Sequence, residues 1–326
     1  FLTGGAVEVG WAPLGLSFFT FQQLWLLKEV YTGEYVPAPG DSLLLYGLFF
    51  PTVTSGPILR PGAFFPQLRG ETFLRAGWQD AAAGLYLICI GMAKKTLLAE
   101  GFGVIVNNGY AHPEWLNSVS AAMVVLGYTL QLYFDFSGYS DMAIGLGRIF
   151  GFRFNENFDH PYCADSVGTF WRRWHMSLTS WFRDYLYIPL GGNRGGTART
   201  IRNLLIVWFC TGFWHGASWN FVLWGLYFWV LLLVEKFVLL RWLKRAPGAV
   251  GHLYTLFFVL GISATFFLLG EWTQKYPDAA RTIARAGQEI GSHSNSHRDM
   301  DTLSQEEILQ EIHLSCQNIH AACGQT

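Results

Sequence analysis

Charged residues are scarce in this chain of 326 residues. Only 14% of them are Asp, Glu, Lys or Arg, whereas 51% are hydrophobic and 17% are aromatic. Soluble globular domains carry about 25% charged residues. No charged residue at all lies between Arg202 and Glu235. The composition therefore excludes an ordinary soluble domain and predicts a polytopic membrane protein. A net charge of −1 gives no reason to expect a nucleic-acid partner.

Cysteines are also few, and they are scattered. They form no Cys-x-x-Cys pair and their number is odd: Cys89, Cys163, Cys210, Cys316 and Cys323. This pattern is typical neither of a disulfide framework nor of a thiolate metal centre. The chain begins at Phe1 rather than at Met, and we expect further membrane spans to precede it.

Long apolar runs predict the membrane spans. A spanning helix needs about 20 mostly apolar residues, and runs near that length occur at residues 11–27, 42–58, 77–94, 118–134, 204–234 and 253–269. Four prolines interrupt the stretch "FFPTVTSGPILRPGAFFPQL". Irregular backbone at membrane depth is tolerated only inside protein or beside a wet cavity. We therefore predict an all-α polytopic membrane protein whose tilted or broken helices surround a central funnel.

Aromatic residues almost disappear after Glu271, where only Trp272 and Tyr276 remain and acidic residues outnumber basic ones. The residue pattern there predicts a helix at 277–286, a short strand at "QEIGSH" and a second helix after Ser304. We therefore predict a membrane body at residues 1–262 and a short, incomplete α/β soluble tail at residues 263–326. At the join, "ATFF" fits either the end of a membrane span or a strand.

Two histidines are candidate functional groups, because a polar group in an apolar run is costly unless it has a partner or a role. His215 lies in the charge-free run, within "TGFWHGASWN". Desolvation keeps an imidazole neutral, which suits general-base chemistry, although a structural histidine bonded between helices is the alternative. His175 lies in "FWRRWHMSLTSWF". An amphipathic interfacial helix with aromatic anchors explains that stretch equally well.

Two carboxylates, Asp135 and Asp141, lie within or beside an apolar segment. Unpaired carboxylates are expensive there, so we expect structural ion pairs. The expected partners are Arg148, Arg153, Arg172 and Arg173. The stretch "GGNRGGTARTIRN" carries further arginines, Arg194, Arg199 and Arg202. We predict a cytoplasmic loop there, because arginines favour that side of a membrane.

Three long motifs follow one another in order: "FDFSGYSDMAIGLGRIFGFRFNENFDHPY", "FWRRWHMSLTSWFRDYLYIPLGGNR" and "TGFWHGASWNFVLWGLY". With "PLGLSFFTFQQL" and "SGPILRPGAFFPQL" upstream, they resemble the membrane-bound O-acyltransferase family, above all its bacterial alginate O-acetyltransferase branch. The resemblance covers residues 11–261. It implies a multi-pass enzyme of the bacterial inner membrane. It also implies that His215 in the "WHG" motif is catalytic and that His175 is the second functional histidine.

The resemblance implies transfer of an acetyl or other acyl group to a hydroxyl for extracytoplasmic polysaccharide O-acetylation. The donor would be a thioester such as acetyl-CoA, with no tightly bound cofactor. His215 would act as base, and His175 would orient the acceptor or polarise the carbonyl. Arg194, Arg199 and Arg202 are candidates for binding the donor phosphates. Expected partners are the lipid bilayer and an extracytoplasmic acetyltransferase partner or polysaccharide.

Two other functions compete with acyl transfer. A transporter or flippase is one, because intramembrane Asp, His and Arg also mark transport pathways. The other is suggested by the tail, which resembles the polysaccharide deacetylase family. His293 and His297 match its H-[ST]-x-x-H metal motif, at a spacing that suits zinc. The Asp-Asp motif of that family is missing upstream, and zinc enzymes use about three protein ligands. We therefore expect a remnant without deacetylase activity.

Overall fold

The regular elements described between residues 15 and 260 are all helices, as the sequence predicts. The structure is a computed structural model that describes residues 15–34, 40–54, 56–70, 76–112, 115–216, 219–260, 265–268, 274, 277, 281, 289–292 and 304–323. Within these residues, three helices are long and apolar enough to cross a membrane: Trp78–Ala111, Val119–Ile149 and Phe221–Leu243. The body is therefore an all-α membrane protein.

The proline-rich part of the chain forms short helices. These are α1 (Leu16–Tyr31), α2 (Gly40–Gly47), α3 (Phe50–Val53) and α4 (Pro61–Arg69). Pro51 and Pro61 stand in the first turns of α3 and α4, where their missing N–H groups cost nothing. The predicted break is confirmed. Tyr46, Phe64 and Phe65 form the buried aromatic core between these pieces.

Two long helices lie next in the chain. The first consists of α5 (Trp78–Ala93), a π-helical turn (Lys94–Ala99) and α6 (Glu100–Ala111); the second is α7 (Ser118–Ile149). Both continue well beyond the predicted spans, which we ended at residues 94 and 134. The charged residues that ended those runs do not break the helices, because they pair with one another across the interface.

Glycines let α5 and α7 touch backbone to backbone. A Cβ atom on Gly84 would lie 2.5 Å from the carbonyl oxygen of Gly145, and one on Gly91 would lie 2.4 Å from that of Gly138. Small residues at helix crossings permit this close approach in membrane proteins. The two long helices are therefore in close backbone contact at two points along their length.

Lysines, not arginines, pair with the two carboxylates of α7. Lys94 Nζ lies 2.6 Å from Asp141 Oδ2, and Lys95 pairs with Asp135. The expectation that arginines pair with these carboxylates is therefore wrong. Arg148 and Arg153 lie near Asp80 instead. Arg172 donates to Thr169, and Arg173 donates to the Cys163 carbonyl. Lys94 and Lys95 belong to the long helix that packs along α7. Their separation in the sequence from Asp135 and Asp141 does not reveal that packing.

The second half of the body begins with two short helices. It contains α8 (Val167–Arg173), α9 (Met176–Phe182), a π turn (Arg183–Tyr187), α10 (Thr197–His215), α11 (Trp219–Val234), a second π turn (Glu235–Leu239), α12 (Leu240–Leu243) and α13 (Gly248–Leu260). The predicted loop "GGNRGGTARTIRN" ends at Gly196, because α10 already begins at Thr197.

The long apolar run at 204–234 is long enough for either a tilted span or a break, and the structure shows the break: two helices form a hairpin. Helix α10 ends at His215, and α11 begins at Trp219. A Cβ atom on Gly212 would lie 2.3 Å from the carbonyl oxygen of Phe221. The two helices therefore cross in backbone contact immediately beside the connection.

Glu235 joins this hairpin to α8. Its side chain is buried in the middle of a membrane span and accepts hydrogen bonds from the backbone N–H groups of Val167, at 2.7 Å, and Gly168, at 2.9 Å. The first N–H groups of a helix have no partner within the helix and attract negative charge. The carboxylate therefore fixes the start of α8, a helix of 7 residues that ends at Arg173.

The tail contains strands β1 (Thr265–Leu268) and β2 (Glu289–Ser292), which pair in parallel, and helix α14 (Gln305–Cys323). The strand predicted within "QEIGSH" is confirmed at Glu289–Ser292, and residues 265–267 of "ATFF" belong to a strand rather than to a membrane span. Ser304 and Glu307 form the expected N-terminal cap, with Ser304 N–H donating to Glu307 Oε2 at 2.9 Å. The predicted helix at 277–286 lies mostly outside the described residues.

The glycine contact between α5 and α7 predicts a selective loss of stability. Gly91→Ala places a methyl group against the Gly138 carbonyl and should destabilise the protein by about 1–3 kcal/mol, the usual cost of overpacking. Gly101→Ala is the control, because a Cβ atom there meets nothing within 4 Å. Thermal unfolding in detergent should give a lower Tm only for Gly91→Ala. Equal Tm values would contradict the close packing.

The Lys94–Asp141 pair predicts a non-additive mutant cycle. Lys94→Met alone leaves Asp141 without its counter-charge and should lower the Tm clearly, because an uncompensated charge at this depth is costly. The double variant Lys94→Met, Asp141→Leu should recover most of the loss. Lys95→Met is the matched control, since the pair with Asp135 is more exposed and should matter less. Purely additive effects in the cycle would rule out the coupling.

Candidate functional site

His175 occupies an unusual position between α8 and α9. It is the residue that precedes α9, its side chain is only 5% exposed, and its backbone is left-handed with φ 44° and ψ 56°. Residues other than glycine seldom adopt this conformation, and they keep it only where the surroundings impose it. The surroundings of His175 must therefore hold both its backbone and its imidazole.

Aromatic rings from three helices enclose the imidazole. Phe136 of α7 packs edge-on at 4.7 Å between ring centroids, Phe18 of α1 stacks at 5.9 Å, and Trp214 of α10 lies at 6.4 Å. Such rings exclude water and fix the plane of the imidazole. Burial lowers the pKa of His175, and the neighbouring His215 lowers it further. His175 lies outside the three membrane spans and is neutral at pH 7.

Asn157 supplies the polar contacts of this turn. It is 1% exposed, and its Oδ1 atom lies 3.1 Å from the backbone N of Ser177, 3.0 Å from Ser177 Oγ and 3.2 Å from His175 Nδ1. Its backbone carbonyl accepts from Met176 N–H at 2.9 Å, and its Nδ2 atom donates to Ser140 Oγ at 3.3 Å. Asn157 therefore holds three consecutive residues at the start of α9. Sequence analysis missed it, because an asparagine in a polar loop gives no signal of its own.

His215 is the last residue of α10, beside the connection to α11. Trp214 lies 4.6 Å and Trp224 4.8 Å from it between ring centroids, and Phe221 stacks at 6.2 Å. His215 is nevertheless exposed in the described residues, whereas we expected a buried imidazole. The difference follows from the helix break, which places this residue at a helix end rather than in mid-span.

Trp214 connects the two histidines. Its ring lies 4.6 Å from that of His215 and 6.4 Å from that of His175 between centroids, and its Nε1 atom donates to Ser17 Oγ of α1. The two imidazoles are close enough to influence each other electrostatically. The fold therefore brings together two residues that are 40 positions apart in the sequence.

The three loop arginines differ in their surroundings, although all are exposed. Arg202 donates to the Leu190 carbonyl and to Asn203 Oδ1 and so holds the loop in place. The Arg199 side chain packs against Gly195, because a Cβ atom on Gly195 would lie 2.2 Å from it. Arg194 extends from the loop. The predicted metal-motif residues of the tail, His293 and His297, lie outside the described residues.

A second buried polar residue, Glu235, was also missed by sequence analysis. The signal was present, because Glu235 is the charged residue that ends the charge-free run. It does not touch either histidine in the contacts described above, and its role is to fix α8. The carboxylates Asp135 and Asp141 and the arginines Arg172 and Arg173 likewise have the separate partners given for them.

Comparison with known families gives two matches. The profile of the membrane-bound O-acyltransferase family matches residues 18–270, and that of polysaccharide deacetylases matches residues 237–326. The two matches overlap at residues 237–270, a stretch that contains the predicted join. The boundary at residue 262 stays a prediction.

Known relatives agree with the longer match. A probable alginate O-acetylase of Azotobacter vinelandii is 42% identical over 226 residues, which are 69% of this chain and 44% of the relative. A peptidoglycan O-acetyltransferase of Helicobacter pylori is 36% identical over 69% of this chain and 47% of its own length. A teichoic acid D-alanyltransferase of Bacillus subtilis is 29% identical over 79% of this chain and 67% of its own length.

The chain thus spans about half the length of the alginate and peptidoglycan relatives that it matches. The family match nevertheless covers the helical body from residue 18 onward, including both histidines and the turn that Asn157 holds. The chain belongs to the membrane-bound O-acyltransferase family.

Proposed function

We propose that the protein transfers an acyl group from a thioester donor to a hydroxyl group of an extracytoplasmic polymer. The observation that carries this proposal is the pair of histidines that both lie beside the Trp214 indole. Membership of an acyltransferase family supports the reaction type and favours it over the transporter or flippase alternative. The relatives named above, which act by their names on alginate, peptidoglycan and teichoic acid, support a cell-envelope polymer as acceptor.

In the proposed reaction, His215 removes the proton from the acceptor hydroxyl while the oxygen attacks the thioester carbonyl. The carbon–sulfur bond then breaks, and the thiol leaves with a proton. A positioned base contributes about 10²- to 10⁴-fold to such a step. The position of His215 at a helix end, open on one side and walled by Trp214 and Trp224 on the other, suits a base that must meet a substrate.

The donor proposal rests on the glycine-rich loop before α10. Acetyl-CoA is the thioester that we propose, and its phosphates would meet Arg194 of this loop and Arg199 in the first turn of α10, which are both exposed. Arg202 would contribute indirectly, because it is bonded to the loop itself. The bacterial cytoplasmic membrane is the proposed location, with this loop on the cytoplasmic side. An extracytoplasmic acetyltransferase or the polysaccharide itself would then receive the acetyl group.

Replacing His215 tests the proposal directly. In membrane vesicles that contain the protein, His215→Ala should reduce transfer of radiolabelled acetyl groups from acetyl-CoA by about 10²-fold or more, because the base is lost. Membrane insertion should not change. His320→Ala is the control, since His320 is an exposed residue of α14. Transfer by His215→Ala at the wild-type rate would remove His215 from the reaction.

A second candidate function belongs to the tail, because the deacetylase profile matches residues 237–326 and β1 and β2 pair in parallel. We propose that this tail adds no deacetylase chemistry. His293 and His297 provide two imidazoles, and no carboxylate motif precedes them where that family requires it. Zinc held by so few protein ligands would bind weakly.

Zinc analysis separates the two possibilities for the tail. The purified protein should hold clearly less than one zinc per chain, and it should release no acetate from an acetylated chitin oligomer. Removing the imidazoles with His293→Ala and His297→Ala should leave acetyl transfer unchanged. Stoichiometric zinc, together with acetate release that disappears in His293→Ala, would instead make the chain bifunctional.

A further inference from the structure

The hydrogen bonds around Asn157 determine which nitrogen of His175 carries its proton. The backbone N–H of Ser177 can only donate, and it points at one terminal atom of the Asn157 side chain from 3.1 Å. That atom must therefore be the oxygen, Oδ1, and not the amide nitrogen. The orientation of the amide is fixed by chemistry and does not depend on an arbitrary choice between the two atoms.

A second contact agrees with this orientation. Ser177 Oγ accepts a hydrogen bond from the backbone N–H of Ile58 at 3.1 Å, so its own hydrogen is free to be donated to Asn157 Oδ1 at 3.0 Å. On the other side of the amide, Asn157 Nδ2 donates to Ser140 Oγ. With Oδ1 facing the turn, each of these polar contacts has one donor and one acceptor.

His175 Nδ1 lies 3.2 Å from the same oxygen. Because Asn157 Oδ1 can only accept, Nδ1 must carry a hydrogen. A neutral imidazole has one N–H group, so Nε2 has a lone pair and no hydrogen. In the part of the chain that the structure describes, this buried Nε2 atom has no hydrogen-bond partner.

We propose that Asn157 is a positioning residue that holds His175 in the Nδ1–H tautomer, so that Nε2 accepts a hydrogen bond from the hydroxyl group of the acyl acceptor. The assignment of the ligand rests on the proposed function, whereas the tautomer rests on the hydrogen bonds alone. The Nδ1–H tautomer decides between the two roles that the sequence left open for His175. A side chain whose only N–H is bonded to Asn157 has no donor for the thioester carbonyl, so His175 orients the acceptor and does not polarise the donor.

The ring contacts support the same role. Phe136 and Phe18 fix the imidazole plane, and the Trp214 ring lies 6.4 Å from it between centroids. A hydroxyl group has one hydrogen, so the hydrogen bond to His175 Nε2 holds the acceptor before the reaction. In the proposed reaction the O–H bond then turns to His215, which removes the proton, so His175 contributes by binding and orientation.

The tautomer can be measured without an activity assay. The full chain, labelled with ¹⁵N in its histidine rings and placed in lipid nanodiscs, should give His175 signals of a protonated Nδ1 and an unprotonated Nε2. A difference spectrum with His175→Asn assigns them. Asn157→Leu keeps the side-chain size but removes the acceptor, and the His175 signals should shift toward a mixture of tautomers. Asn203→Leu is the matched control, a buried asparagine elsewhere whose loss should leave these signals unchanged.

Kinetics then test the role. Asn157→Leu should lower kcat/KM for the acceptor by about 10- to 100-fold, the cost of losing the partner that orients a metal-ligating histidine, to which this contact is analogous, while the KM for acetyl-CoA stays the same. Asn157→Asp should recover much of the loss, because a carboxylate also accepts from Nδ1–H. A protonated Nε2 in the wild type, or unchanged His175 signals in Asn157→Leu, would overturn the inference.

A failure to fold and a failure of the proposed function can each be distinguished from a failure of the tautomer inference. If Asn157→Leu does not fold, Ser177→Ala takes its place: it retains the backbone N–H that orients Asn157, so the Nδ1–H tautomer should persist, and its loss would contradict the argument. If the wild type transfers no acyl group to any hydroxyl, the proposed function fails while the tautomer measurement still stands.

Discussion

The backbone N–H of Ser177 donates to Asn157, and the geometry of the candidate site depends on this one hydrogen bond. It orients the amide, the amide orients the imidazole of His175, and the same residue satisfies the first free N–H groups of α9. Burial makes each of these hydrogen bonds necessary, because a polar group without a partner is costly in a medium that offers no water. A single loop residue thus connects α7, through Ser140, to the start of α9.

Much of the fold could be predicted from the sequence, since helix formation in a membrane depends on local apolar content. The break at the prolines and the strand at "QEIGSH" followed from residue type alone. The helix ends did not. Lys94 and Asp135 marked the ends of apolar runs, yet the helices continue, because the two charged groups of each pair neutralise each other across an interface. A pattern along one helix contains no information about the helix that will lie beside it.

Part of the candidate site was predictable, because its two histidines are recognisable from the local sequence. The two histidines lie in distinctive motifs, and their polar character within aromatic segments drew attention to them. A break in the run at 204–234 was one of two alternatives, but its position, which exposes His215, was not predictable, because it depends on backbone contact between Gly212 and Phe221. Asn157 was not predictable either, since its importance comes from geometry and not from its type. Glu235 was predictable in principle, as a charge at the end of a long uncharged run, but its target at the start of α8 was not.

The left-handed backbone of His175 affects how substitutions at this position are interpreted. Most residues lose about 1–2 kcal/mol in that conformation, whereas glycine and asparagine adopt it readily. An alanine there removes the imidazole and also strains the turn, so the two effects appear together in one measurement. The tolerance of this buried position should therefore resemble that of a tight surface turn: small turn-forming residues preserve the fold, and bulky β-branched residues, which usually suit a core, disrupt it.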